Sequence, residues 1–185
     1  MDFGGLAGPE SPRSLANRIT RLERESALLS TARPHLAAGL ARLVATIIDG
    51  LTPSPSAPTH GDLKPEHVFI DGDTVSLIDF DFLQASDRVL DVLKMEKHLA
   101  SPRRRVSSST GGAEASARRF VEAYLAHAAH DARARLALYR AMDTIGDASR
   151  VVNGQDADWQ QRGDELVGEA AAFVRKSGAA SAASA

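Results

Sequence analysis

Two short, mostly β-branched runs, residues 68–70 and 75–78, enclose "DGD", and no other stretch of the chain carries a comparable hairpin signal. This pair constrains the fold most, because nearly everything around it has helical periodicity and must be arranged about one small ribbon. Just upstream, "TPSPSAPT" sets three prolines in residues 52–59, which excludes helix and central strand there. Before it, Leu15, Ile19, Leu22 and Leu29 recur at near-helical spacing behind Ser14, a capping residue, and predict a helix over 14–30. Leu36, Leu40, Leu43, Ile47 and Leu51 predict a second helix from Pro34 to about Gly50, with that glycine as its stop. Beyond the ribbon, helices are predicted over 86–100, 113–129, 132–149 and 156–176. The expected fold class is therefore α+β and mainly helical. Residues 1–13 read as an irregular lead-in, 14–177 as the folded body, about 101–112 as a mobile basic and Ser-rich loop, and 178–185 as a disordered tail.

Composition bears on partners. With 185 residues and 43% apolar side chains, the chain can bury one real core. Its 22 basic and 24 acidic side chains leave a formal charge of -2, so no global field attracts nucleic acid or an anionic membrane. Cysteine is absent, which removes disulfides and thiolate metal sites. No apolar run approaches the roughly 20 residues that span a bilayer. The first residues lack a secretion signal, and a cytoplasmic protein is expected.

The ribbon gathers chemistry at its open end, where "THGDLKPEH" leads in and "LIDFD" leads out. If Gly72 and Asp73 form the turn, Asp79 lies opposite Glu66; if Asp71 and Gly72 form it, Asp79 faces Lys64. Strands in a ladder lie about 4.8 Å apart, so either register returns Asp79 beside the loop that carries Asp62, Lys64 and His67. Two acids with a Lys and a His can hold a divalent cation and steer a phosphate.

The string "HGDLKPEH", then a hairpin, then "LIDFD" and "SDRVLDVLK", resembles the catalytic half of the aminoglycoside phosphotransferase and choline kinase family, whose fold is similar to that of protein kinases. The resemblance implies a kinase-like C-terminal lobe and ATP-dependent transfer of a phosphoryl group to a small-molecule hydroxyl. In that scheme Asp62 takes or orients the proton of the attacking hydroxyl, Lys64 sits near the transferred group, and Asp79 holds Mg²⁺ against the phosphates of ATP or another nucleoside triphosphate. His60 is implied as a brace for the loop, and Asp91 as an acceptor for its backbone. Gly61 stands where regulated protein kinases carry an arginine, which favours the small-molecule branch.

Two positions depart from the family pattern. His67 replaces the family's metal-binding asparagine, and an imidazole suits Mn²⁺ or Zn²⁺ better than Mg²⁺. Only 59 residues precede His60, and they read as lead-in and helices rather than as the β-rich lobe that grips ATP in kinase-like enzymes. The expectation is a phosphotransferase lobe that is incomplete as this chain, with a missing lobe or self-association at the exposed interface as partner. A catalytically inactive kinase-like binding module is the alternative.

Overall fold

The computed structural model describes residues 14–53, 55–101, 110–155 and 157–178. The expected lead-in, residues 102–109 of the expected basic loop and the tail after Gly178 lie outside the described residues. The described residues are mainly helical with two small two-stranded sheets, and they divide into two compact units.

One unit combines, among the described residues, 14–53 with those from Arg133 onward. Helix α1 (Leu15–Ala32) starts where Ser14 Oγ accepts the Asn17 amide at 3.3 Å, which satisfies a donor that the helix leaves orphaned. Its buried residues, Leu22, Ser26 and Leu29, lie four and three apart and form one stripe. A 3₁₀ turn (Pro34–Leu36) leads into α2 (Ala37–Leu51), which buries Leu40, Leu43, Val44, Ile47 and Leu51. This helix continues through Gly50, so the glycine does not stop it; Thr52, in extended backbone, does. Helices α5 (Ala132–Gly154) and α6 (Trp159–Ser177) complete the unit. Gly146 of α5 meets α1 closely, since a Cβ there would stand 3.1 Å from Glu25. Arg33 forks onto Asp164 of α6 with bonds of 2.9 and 2.6 Å, and its guanidinium lies 6.0 Å from the Trp159 ring centre. Tyr139 is fully buried, whereas Trp159 and Phe173 are half-buried beneath cationic side chains.

The other unit runs from Pro55 to Ala132 in its described part and carries every residue of the motif quoted above. Strands β2 (Val68–Asp71) and β3 (Thr74–Leu77) pair antiparallel, with Val68 opposite Leu77 and Asp71 opposite Thr74. Gly72 and Asp73 therefore form the turn, and the positive φ of Gly72 (54°) fits a first central residue of the hairpin turns that need glycine. Flanking the ribbon, β1 (Ala57–Thr59) pairs antiparallel with β4 (Gln84–Ser86). The prolines hid β1 from sequence reading: Pro58 is tolerated because a two-stranded sheet consists of edges. Residue 86, expected to open the next helix, belongs instead to β4. Helix α3 (Val89–Ala100) begins three residues later, where Asp87 Oδ1 accepts the Val89 amide at 3.1 Å. It packs against α4 (Thr110–Leu125). Among the described residues no helix is long and apolar enough to cross a membrane.

Candidate functional site

The loop between β1 and β2 is held by its own backbone requirements. His60 and Gly61 present successive N–H groups, and Asp91 of α3 accepts both, at 2.7 Å from Oδ2 and 2.9 Å from Oδ1. Burial raises the Asp91 carboxyl above its ordinary range, and the two N–H bonds work against that rise. Gly61 has φ +79°, and a Cβ there would lie 2.2 Å from the Phe82 carbonyl oxygen. Only glycine fits, and the loop thereby lies directly against the segment that follows Asp79.

His60 makes the second connection between entrance and exit of the ribbon. Its Nε2 lies 2.9 Å from the Ile78 carbonyl oxygen, which can only accept, so Nε2 carries the proton. Its ring stacks on His67 with centroids 5.3 Å apart and lies tilted against Phe80 at 4.9 Å. The Nδ1 atoms of His60 and His67 are buried without a hydrogen-bond partner. The ladder continues past β2 and β3, since the Ile78 amide donates to the His67 carbonyl at 3.1 Å. Residue 79 follows with φ +65°, a left-handed backbone that aspartate tolerates better than most residues. Its carboxylate Oδ2 then sits 3.1 Å from His67 Nε2.

Asp62 is buried, and each of its oxygens meets a different lysine. Lys64 Nζ lies 2.6 Å from Oδ2, and Lys94 Nζ lies 2.9 Å from Oδ1. Burial alone would raise the Asp62 carboxyl; the hydrogen bonds and charges of the two lysines outweigh it and take the pKa down to about 2. Lys94 escaped sequence reading. The signal was present, because Lys94 stands three residues after Asp91 on α3 and so shares the helix face that meets the loop. His98, one further turn along, is held below the ordinary histidine range by burial first and then by Lys94 and Lys64.

The structure thus brings His60, Asp62, Lys64, His67, Asp79, Asp91 and Lys94 to one loop cluster at the open end of the ribbon. No group of three or more acidic, His or Cys side chains forms a metal cage among the described residues. Chemically the cluster offers an ionised carboxylate between two ammonium groups, beside a carboxylate and imidazole pair. The ribbon itself is bare: Ile70 is 74% exposed, Val75 62% and Phe69 55%, with Leu77, Ile78, Phe80 and Phe82 also open.

Residues 2–139, more than half of the chain, match a family model described as the phosphotransferase enzyme family. No curated protein and no solved structure gives a significant match.

Proposed function

Because this chain belongs to the phosphotransferase enzyme family, we propose that its ribbon and loop cluster form the catalytic part of a kinase-like C-terminal lobe, which transfers a phosphoryl group from ATP to a small-molecule hydroxyl. The observation that carries the reading is the Asp62 carboxylate, buried yet kept ionised by Lys64 and Lys94, on a loop that His60 ties to the backbone just before Asp79.

With a pKa of about 2, Asp62 is a weak base at neutral pH. It therefore serves first to orient the acceptor hydroxyl through a lone pair that the lysines leave open. The bond from acceptor oxygen to phosphorus forms as the bond from phosphorus to the leaving oxygen breaks. The hydroxyl proton, made acidic as its oxygen bonds phosphorus, passes to Asp62 and on to solvent. Lys64 stabilises the negative charge on the transferred group.

Asp79 and His67 fit a divalent ion. Adjacent ligands of an octahedral ion at about 2.1 Å stand roughly 3 Å apart, and His67 Nε2 lies 3.1 Å from Asp79 Oδ2. The remaining positions would be left to water and phosphate oxygens, as is usual for Mg²⁺. When bound, the ion neutralises charge on the phosphates. The imidazole makes Mn²⁺ a better occupant than an asparagine would.

The test is calorimetry of Mg²⁺ or Mn²⁺ with ATP on this chain and on Asp79→Ala. The reading expects heat from the first and a large loss in the second. Equal heats from both, or none from either, contradict it.

A further inference from the structure

We propose that Lys94 is a second phosphate-contacting residue of this site, which with Lys64 forms a two-ammonium seat for the oxygens of a polyphosphate. The inference rests on the phosphotransferase reading and extends it to a residue to which the resemblance gave no role.

Three features of the geometry point this way. Each ammonium has three donors and gives one to Asp62, so both keep donors for another anion. Exposure is also unequal: the Asp62 side chain is 9% exposed, against 29% for Lys64 and 41% for Lys94. An anion arriving from solvent therefore meets N–H donors before it meets the carboxylate. Finally, one carboxylate between two ammonium groups leaves a net positive charge at the triad.

The carboxylates nearby already have partners of their own. Asp91, one turn earlier on α3, has both oxygens occupied by the His60 and Gly61 amides. Asp79 faces His67. His98, one turn later, is held below the ordinary histidine range by burial first and then by Lys94 and Lys64. A purely structural Lys94 would act only as a counter-ion that keeps Asp62 ionised. That role would weaken anion binding only through the lost charge, which Asp62→Asn in the Lys94→Met chain would restore.

Calorimetric titration with metal-free inorganic tripolyphosphate near physiological ionic strength separates these roles, using the wild-type chain, Lys64→Met, Lys94→Met and Lys94→Arg. Wild type is expected to bind. Each Met variant should lose roughly tenfold or more in affinity, as expected when a charged hydrogen bond to an anion is removed. Lys94→Arg, which keeps charge and donors, should restore binding to within a few-fold. A Lys94→Met chain that binds like wild type while Lys64→Met binds weakly overturns the role of Lys94 and leaves the phosphotransferase reading standing. No binding by wild type, or binding untouched by either Met variant, overturns both. Amide spectra of the variants check that the fold is retained, and Lys94→Arg supplies a folded comparison should Lys94→Met lose structure.

Discussion

Replacing Gly61 with alanine should be among the most damaging single-methyl changes in this chain. At φ +79° an alanine costs about 1–2 kcal/mol from contact between its own Cβ and carbonyl. The new Cβ would also stand 2.2 Å from the Phe82 oxygen and 3.1 Å from the Phe82 carbonyl carbon and Cβ. Ordinary contact is longer by about an ångström, and the obstacle is backbone, which cannot rotate away as a flexible side chain would. Overpacking of this kind costs about 1–3 kcal/mol. Together the two effects predict a loss of roughly 2–5 kcal/mol, at its upper end comparable to the whole margin of a weak domain. Two controls separate them. Gly72→Ala keeps the strained φ of 54° but meets open space, so it should cost only about 1–2 kcal/mol. Gly168→Ala lies in α6, also in open space, and should be neutral or stabilising by up to about 1 kcal/mol. Urea unfolding followed by circular dichroism reads all three as midpoint shifts. If Gly61→Ala costs no more than Gly72→Ala, the close packing of the loop on the Phe82 segment is wrong.

Other outcomes follow from the same geometry. Asp91→Asn leaves one carbonyl oxygen for two N–H donors and turns an amide N–H₂ toward the loop, so it should cost about 1–3 kcal/mol in the same unfolding assay. Asp62 has a folded pKa below its unfolded value, so its stabilisation is present above about pH 4 and is lost as pH falls through about 2. After allowance for solvent around the two lysines, wild type should exceed Asp62→Asn by about 1 kcal/mol at pH 7, and the two should converge near pH 2; a gap independent of pH would contradict the ion-pair account. His67→Asn replaces an imidazole with a harder oxygen donor and should lower the ratio of Mn²⁺ to Mg²⁺ affinity several-fold by calorimetry. Lys at Ile70 and Val75 should change stability by under about 0.5 kcal/mol while reducing self-association in sedimentation, because both side chains already face solvent.

Sequence carried the ribbon because its signals are local: β-branched residues on either side of a glycine turn need no distant partner to be read. The turn at Gly72 and Asp73, one of two registers left open, follows from the pairing of Asp71 with Thr74. The helices were legible from the spacing of Leu22, Leu29, Leu40 and Ile47, although their ends moved. Gly50 failed as a stop because helix geometry costs glycine only about 1 kcal/mol, which the burial of Leu51 offsets. Strands β1 and β4 were missed because their pairing joins Thr59 to Gln84 across 25 positions, and nothing local marks it. Lys94 was missed although its place three residues after Asp91 put it on the face that meets the loop; its ion pair with Asp62 is what gives it a role. The left-handed backbone at Asp79 likewise has no sequence signature, since an aspartate after a strand is an ordinary residue.

The central claim is that the loop bearing Asp62 and the ribbon exit bearing Asp79 serve one phosphate and cation site. Paramagnetic broadening by substoichiometric Mn²⁺ with ATP tests it most directly. The account predicts selective broadening of the Asp62, Lys64, His67 and Asp79 amides that disappears in Asp79→Ala. Broadening elsewhere, or broadening of this set that survives the loss of the Asp79 carboxylate, would contradict it.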